Sequence, residues 1–189
     1  MSLELIGGNM YSGKSSELLR QLSCALAINH NALYINHAFD TRSIEPFSTH
    51  NPLFKPNLLL ERLTLMKCPT LPKGEEVSMY DTIGIDESQF FDNLMIVIDY
   101  VETFKKHVIV SGLIADSFRH SFGKFLDLLP YADHFTHLQA LCSLCGQNKL
   151  SVNAPFTHRL VDDHEQINVG GADKYRAVCR HHYLELNSK

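Results

Sequence analysis

One short segment, GGNMYSGKSS at residues 7–16, limits the fold more than any other part of the sequence. It fits the pattern G-x-x-x-x-G-K-[ST], follows an apolar run at residues 3–6, and precedes apolar residues at helical spacing. In such a loop glycines let successive N–H groups point inward, while Lys14 and Ser15 serve the outer phosphates and Mg²⁺. We therefore expect a nucleoside triphosphate site rather than a chance glycine-rich turn. Its expected residues are Gly8, Asn9, Met10, Tyr11, Ser12, Gly13, Lys14 and Ser15.

The chain on either side alternates helical and strand patterns. Apolar residues recur at helical spacing over residues 15–29, and further helices are expected over 92–106 and, up to a proline, over 122–133. Strands are predicted at ALYINH, TIGI, HVIVSGLI and HFTHLQAL. Between residues 43 and 79 prolines interrupt the pattern, and only NLLLERLTLM resembles a short ordered element. This order predicts an α/β fold with a mostly parallel sheet covered by helices on both faces.

Composition narrows the class of protein. The 189 residues suit one domain with a small appendage, and 44% hydrophobic with 20% charged residues is typical of a globular protein. A net charge of −4 without a long basic run disfavours nucleic acid or an anionic membrane as the main partner. No leader-like segment and no apolar run of membrane-spanning length is visible, so we expect a cytoplasmic protein.

Cysteines mark a second unit near the C-terminus. Cys142-Ser-Leu-Cys145 and Cys179-Arg-His-His182 are two half-sites whose two-residue gaps suit tetrahedral Zn²⁺. A Cys₃His set leaves no open coordination position, so we expect a structural rather than catalytic metal. The spacing favours His182 over His181. We expect an α/β domain at 1–140, a metal-binding domain at 141–189, and a lid-like loop at 146–178.

The two remaining cysteines, Cys24 and Cys68, lie outside these half-sites. A free cysteine usually behaves as a small hydrophobe in the interior of a protein. We therefore expect both to be plain buried thiols.

Acidic residues follow the predicted strand TIGI. Asp86 is expected to hold the magnesium hydration shell, and Glu87 to act as general base toward an acceptor hydroxyl. Because neighbouring side chains on a strand point to opposite faces, both reach one site only if Glu87 lies beyond the strand's end. In the segment FDTR, Arg42 could neutralise phosphoryl charge and Asp40 could join the outer shell of the metal; a surface ion pair is the alternative.

Four segments in order, GGNMYSGKS, FDTR, DESQFF and GGADKYRAVCRHHY, resemble the type II thymidine kinase family, cellular and viral. The resemblance covers nearly the whole chain apart from the proline-rich middle. It implies a P-loop, RecA-like α/β fold with a small C-terminal zinc-ribbon and lasso domain. It implies phosphoryl transfer from ATP to the 5′-hydroxyl of thymidine, with Mg²⁺ and a structural Zn²⁺.

The resemblance also implies roles for individual residues. Glu87 would be the base, Asp40, Arg42, Asp86 and Gln89 would attend magnesium and phosphate, and Ser15 with Asp86 would serve the magnesium. The zinc set would be Cys142, Cys145, Cys179 and His182. The expected thymidine-binding residues are Met10, Phe91, Phe118, Gln166, Ile167, Asn168, Val169, Gly170 and Tyr175, with Phe122 as the alternative to Phe118 as the stacking ring.

The sequence departs from the family pattern at three points. Ser88 stands where many members have glycine, His182 replaces a common cysteine, and the stretch around Ser117 is offset by one residue. The chain stops at Lys189, soon after the zinc signature, so we expect no long regulatory tail, as in a viral or minimal cellular member.

The resemblance implies a homotetramer and feedback binding of thymidine triphosphate. Two other classes of function stay open at this point. A P-loop GTPase-type switch lacks the N-K-x-D guanine motif, and a zinc-ribbon, nucleic-acid-dependent ATPase lacks a basic stripe with aromatic residues. We expect no nucleic acid and no membrane partner.

Overall fold

A computed structural model describes residues 1–39, 62–161, 165–168 and 170–188. Six strands form one sheet in the order β3-β2-β4-β5-β1-β6. Every neighbouring pair in this sheet is parallel. The strands are β1 (Ser2–Gly8), β2 (Ala32–His37), β3 (Thr64–Cys68), β4 (Thr82–Ile85), β5 (His107–Leu113) and β6 (His134–Leu138). The predicted parallel α/β sheet is confirmed.

Alternation along the central strands builds two apolar layers. On one face, residues such as Leu5, Ile35 and Val110 pack with buried side chains of helix α2 (Val97–Glu102) and of a 3-10 helix at Phe125–Tyr131. On the other face, Ile6 and Ile109 pack against helix α1 (Lys14–Ala27). Because consecutive strand residues point to opposite faces, a short continuous apolar strand supplies both layers.

Helix α1 packs closely over β4 because β4 carries a glycine. A Cβ atom at Gly84 would lie 2.7 Å from Leu22 Cδ1 and 3.0 Å from Leu18 Cδ1. Both leucines are fully buried. Gly84 therefore lets the helix approach the sheet closely.

Several predicted elements have different bounds or types. The expected helix at 92–106 is a 3-10 turn at Leu94–Ile96 followed by the short α2, and the expected helix at 122–133 is 3-10 in type. The expected strand HFTHLQAL is interrupted at Gln139: β6 ends at Leu138, and β7 (Ala140–Leu141) pairs with β8 (Asn153–Ala154) instead. In the proline-rich middle, β3 completes one edge of the sheet.

The C-terminal part has small elements around a separate cluster. β9 (Phe156–Arg159) and β10 (Tyr175–Val178) form an antiparallel pair, with helices α3 (Ser143–Gln147) and α4 (Arg180–Leu186). The cluster is built from small residues, cysteines and one tyrosine: Ala140, Cys142, Ala154, Ala177, Val178, Cys179 and Tyr183. The division into domains at 1–140 and 141–189 stays a prediction. Across the described ranges, no helix is long and apolar enough to cross a membrane.

Candidate functional site

The phosphate-loop motif connects β1 to α1 at the carboxyl edge of the sheet. Gly13 precedes the helix in a left-handed conformation with φ of 88°, which glycine adopts without steric cost. Lys14 Nζ donates a hydrogen bond to the Asn9 carbonyl oxygen at 2.8 Å, and Ser12 Oγ donates to the same oxygen at 2.9 Å. The loop therefore closes on itself before a helix N-terminus, which is a favourable environment for phosphate.

Asp86 lies one residue beyond β4 and is 2% exposed. Its carboxylate accepts hydrogen bonds from Tyr34 Oη at 2.9 Å and from the Glu87 backbone N–H at 2.9 Å. Burial raises the pKa of Asp86, and the adjacent Glu87 carboxylate adds to this, while a hydrogen bond with Ser15 opposes it. A buried carboxylate beside a serine hydroxyl supplies the oxygen ligands that suit Mg²⁺, whose charge favours the ionised acid.

Glu87 leaves the strand direction in a left-handed turn with φ of 50°. Because β4 ends at Ile85, Glu87 lies beyond the end of the strand, as is required for Asp86 and Glu87 to reach the same site. Gln89 Nε2 donates to Glu87 Oε2 at 2.6 Å, and Gln89 Oε1 accepts from the Leu113 backbone N–H at 3.1 Å. Gln89, predicted to attend phosphate, thus ties Glu87 to the end of β5.

The predicted aromatic residues differ in accessibility. Phe91 is 1% exposed, and its ring centroid lies 4.7 Å from that of His37, so it forms part of the core beneath the site. Phe122 is 7% exposed and packs edge-to-face on Phe90 at 5.6 Å. Phe118 is half-buried. Of the three, Phe118 is the most accessible ring, and its role in stacking on a substrate stays a prediction.

Arg159, at the end of β9, holds the predicted thymidine-binding loop. Its guanidinium donates to the Glu165 carbonyl oxygen at 2.6 Å, to the Gln166 carbonyl oxygen at 3.4 Å and to Tyr175 Oη at 3.1 Å. It also lies 5.4 Å from the ring centroid of Phe118. Tyr175 Oη in turn donates to the Asn168 carbonyl oxygen at 2.6 Å. The buried Arg159 therefore joins this loop to the predicted stacking ring.

Asp116 anchors the same loop from the other side. Its carboxylate accepts from the backbone N–H groups of Phe118 and His120, each at 2.9 Å, and from Gln166 Nε2 at 2.9 Å. Sequence reasoning missed both Asp116 and Arg159. Asp116 lies inside the motif-like stretch GLIADSFRHSF, which offered a weak signal, whereas Arg159 lies in the short strand FTHR and carried none.

Two further described residues of the predicted loop differ in their surroundings. Ile167 is 49% exposed, and Lys174 packs at Gly170, where a Cβ atom would lie 2.4 Å from Lys174 Cδ. Asp40, Arg42 and Val169 lie outside the described residues.

The four predicted metal ligands converge. His182 Nδ1 lies 3.4 Å, 3.6 Å and 3.3 Å from the sulfurs of Cys142, Cys145 and Cys179, and the last two sulfurs are 4.0 Å apart. Tetrahedral zinc with Zn–S of about 2.3 Å and Zn–N of about 2.0–2.1 Å requires S···N separations of about 3.6 Å and S···S separations of about 3.8 Å. The cluster therefore has the size and the donor set of a structural zinc site.

The thiol chemistry of this cluster also suits a metal. Burial raises the pKa of Cys142, but hydrogen bonds from the backbone N–H groups of Cys145 and Cys179 and with the side chains of His182 and Cys145 outweigh burial and bring the pKa to about 6. Burial and the two neighbouring cysteines raise the pKa of Cys145 to about 11, so Cys142 is the first of the two to ionise. Thiolate is the form that binds metal. Two cysteines lie apart from the cluster: Cys68 is half-buried, and Cys24 is exposed, so the prediction of a buried Cys24 is wrong because its position on α1 faces away from the sheet.

Comparison with known proteins covers nearly the whole chain. A family model described as thymidine kinase matches residues 1–183. A thymidine kinase of Choristoneura biennis entomopoxvirus is 32% identical, over 100% of this chain and 99% of the relative. Thymidine kinase a of Arabidopsis thaliana is 36% identical over 97% of this chain and 75% of its own length. The cytosolic thymidine kinase of Cricetulus griseus is 34% identical over 98% and 74%.

Proposed function

Because this chain belongs to the thymidine kinase family, we propose which of its residues perform the family's reaction. The reaction is phosphorylation of thymidine by ATP to give dTMP, a step of nucleotide salvage. One observation carries the assignment: the phosphate-loop Ser15 is hydrogen-bonded to Asp86, whose neighbour Glu87 is held by Gln89. A phosphate-binding loop and a positioned carboxylate thus meet at one edge of the sheet.

Lys14 and the loop amides bind the triphosphate. Lys14 Nζ exchanges the Asn9 carbonyl oxygen for a phosphate oxygen, while the N-terminus of α1 faces the same charge. Mg²⁺ with ATP, which the family implies, neutralises phosphate charge when bound, and Ser15 and Asp86 are the residues that would hold it. Phosphoryl transfer needs little covalent participation by protein, so these fixed charges and dipoles lower most of the barrier.

Glu87 acts as the general base. The 5′-oxygen of thymidine attacks the γ-phosphorus, the bond from that phosphorus to the β–γ bridging oxygen breaks, and its electron pair leaves with ADP. The hydroxyl proton passes to Glu87. Gln89 Nε2 donates to Glu87 Oε2 at 2.6 Å and so fixes the orientation of the carboxylate that accepts the proton.

The loop at 166–170 and Tyr175 bind the nucleoside. Two contacts support this proposal: Arg159 donates to a backbone carbonyl oxygen of the loop, and Asp116 accepts from the Gln166 side-chain amide. Arg159 also lies against Phe118, the proposed stacking ring. Val169 belongs to the proposed loop, and Met10 is proposed to lie near the base. Phe91 is proposed to line the active-site region from the core beneath it. Asp40 and Arg42 are proposed to attend metal and phosphate. A backbone-lined pocket favours a small pyrimidine over a purine.

The Cys₃His cluster is proposed to hold a structural Zn²⁺ through Cys142, Cys145, Cys179 and His182. We also propose a cytoplasmic homotetramer, as the family resemblance implies. Feedback binding of dTTP is proposed on the same basis, since one molecule carries both the thymine that the loop recognises and a triphosphate for the phosphate loop.

A nucleoside panel tests the substrate. The purified protein is incubated with ATP, Mg²⁺ and each of thymidine, deoxyuridine, deoxycytidine, deoxyadenosine and deoxyguanosine, and the monophosphates are quantified by chromatography. We expect dTMP as the main product. Phosphorylation of purine nucleosides in preference to thymidine, or ATP hydrolysis stimulated only by single-stranded DNA, would contradict the proposal.

A further inference from the structure

The phosphate loop is bonded directly to the nucleoside-binding part through consecutive residues. Asn9 is 6% exposed, and its side-chain amide joins two strands of the C-terminal part: Nδ2 donates to the Phe156 carbonyl oxygen at 3.4 Å, and Oδ1 accepts from the Ala140 backbone N–H at 3.3 Å. The Asn9 amide therefore links the phosphate loop to both β7 and β9.

The next two loop residues continue the contact. The Met10 backbone N–H donates to Thr157 Oγ1 at 3.1 Å, and Tyr11 Oη donates to the Tyr175 carbonyl oxygen at 3.3 Å. Tyr11 also packs against the small-residue cluster around Cys142. Thr157 and Tyr175 flank Arg159 in space, since Tyr175 pairs with Arg159 across the two strands.

The backbone of Asn9 connects these contacts to the phosphate-binding side of the loop. Its carbonyl oxygen accepts the Lys14 ammonium at 2.8 Å and the Ser12 hydroxyl at 2.9 Å. Because Lys14 is the proposed phosphate-binding charge, a bound triphosphate competes for it and alters the bonding of Asn9. The Asn9 amide and the Tyr11 hydroxyl transmit the change to β9 and β10, which hold Arg159 and Tyr175.

Resting on the proposed function, we propose that Asn9 and Tyr11 are positioning residues that couple occupancy of the phosphate loop to thymidine affinity. A bound triphosphate changes the hydrogen bonding of residues 9–11 and, through them, shifts the strands under the thymidine loop toward their thymidine-binding arrangement, so thymidine binds more tightly. Coupling is reciprocal by linkage, so thymidine tightens ATP binding by the same factor. Typical couplings of this kind change affinity by about 5- to 150-fold.

Calorimetry measures the coupling factor, which is the ratio of thymidine Kd without and with a saturating non-hydrolysable ATP analogue and Mg²⁺. The wild type is compared with Tyr11→Phe, which removes only the hydroxyl, with Asn9→Ala, and with the double variant. Tyr131→Phe, a change at a half-exposed tyrosine of the 3-10 helix, is the matched control.

We expect a wild-type factor of about fivefold or more, retained in Tyr131→Phe and reduced toward one in Tyr11→Phe and Asn9→Ala. A merely structural role would weaken each separate affinity and leave the ratio unchanged, and that result overturns the inference. A wild-type factor of one also overturns it. If the wild type phosphorylates thymidine in either case, the proposed function stands; absence of thymidine phosphorylation would overturn both.

Discussion

The parallel sheet and the C-terminal part are stabilised by different means. The sheet buries two layers of large aliphatic and aromatic side chains, among them Leu22 and Tyr100. The C-terminal cluster instead consists mainly of alanine, valine and cysteine. Small side chains bury little apolar area, so that part depends on cross-links: the Cys₃His set and the hydrogen bonds of Arg159. The edge of the sheet that carries the proposed catalytic residues is therefore rigid by packing, while the proposed thymidine-binding loop is held by specific hydrogen bonds.

Loss of the metal should have the largest effect. Cys145→Ser is expected to abolish zinc binding, expose the C-terminal part to limited proteolysis and remove thymidine affinity, because structural zinc contributes about 10–16 kcal/mol in zinc-finger peptides. Residues of the sheet should keep their protease resistance. Metal analysis, proteolysis with mass spectrometry and thymidine calorimetry measure these effects.

Cys24→Ser, at the exposed cysteine of α1, is the control for this substitution and should retain metal. Fully active wild-type enzyme with much less than one zinc per chain would refute the role of the cluster.

A core truncation in the sheet should have the converse effect. Leu22→Ala removes a fully buried side chain that packs on Gly84, and should lower the free energy of unfolding by about 2–5 kcal/mol. Zinc content of the folded protein should not change. Urea denaturation and metal analysis test both statements, and a loss of zinc without global destabilisation would erase the distinction between the two regions.

Arg159→Lys should weaken the thymidine loop specifically. Lysine keeps the charge but lacks the planar fork that contacts two carbonyl oxygens and Tyr175 Oη. We expect KM for thymidine to rise about tenfold, equivalent to about 1.4 kcal/mol, with a smaller change in KM for ATP. Arg20→Lys, at an exposed α1 arginine paired with Glu17, is the control. Equal rises in both KM values would show a general defect instead.

The smallest expected effect concerns acid stability. His37 Nδ1 accepts from the Phe39 N–H at 3.1 Å and Nε2 donates to the Pro69 carbonyl oxygen at 3.0 Å, which defines a neutral ring. Burial lowers the pKa of His37 below its ordinary 6.5, against smaller opposing effects of that carbonyl and the nearby carboxylates of Asp92 and Glu87.

The direction of the pH effect follows from proton linkage. The unfolded chain binds the proton first as pH falls through about 6.5, so the free energy of unfolding decreases there until the folded pKa is reached. Urea unfolding at about pH 7.5 and about pH 5.5 should show a smaller acid loss in His37→Gln than in wild type or in the exposed control His134→Gln. The remaining loss of stability comes from other histidines, such as His107 and His158, because burial lowers their pKa values as well. If the free energy of unfolding of His37→Gln falls between these two pH values as much as that of wild type, His37 does not contribute to the acid sensitivity.

The parts of the molecule that carry local patterns were predictable from sequence. The phosphate loop, the acids after β4 and the Cys-x-x-Cys pair each depend on short-range spacing, and the structure brings the four predicted metal ligands to one point. The strands that alternate with helices could be predicted for the same reason, because buried strands such as β5 are continuous apolar runs.

Other features depend on tertiary context. β3 is an edge strand whose side chains are mostly exposed or half-buried, so residues 64–68 lack the apolar run of a central strand. The break at Gln139 depends on which strand β7 pairs with, which no local pattern reveals. Arg159 was missed because its partners are backbone carbonyl oxygens of a loop that closes over it. A hydrogen bond to a backbone carbonyl oxygen leaves no periodic trace in sequence, even when, as here, the partners are only six and seven residues away.

Single-turnover kinetics of Glu87→Gln test most directly the central claim that Glu87 is the base between the phosphate loop and the thymidine loop. Rapid-quench measurement of dTMP formation should show a rate lowered about 10²- to 10⁴-fold, with Kd for the ATP analogue changed only modestly. Glu102→Gln, at an exposed glutamate ending α2, should retain the wild-type rate. A wild-type rate of dTMP formation in Glu87→Gln would contradict the account.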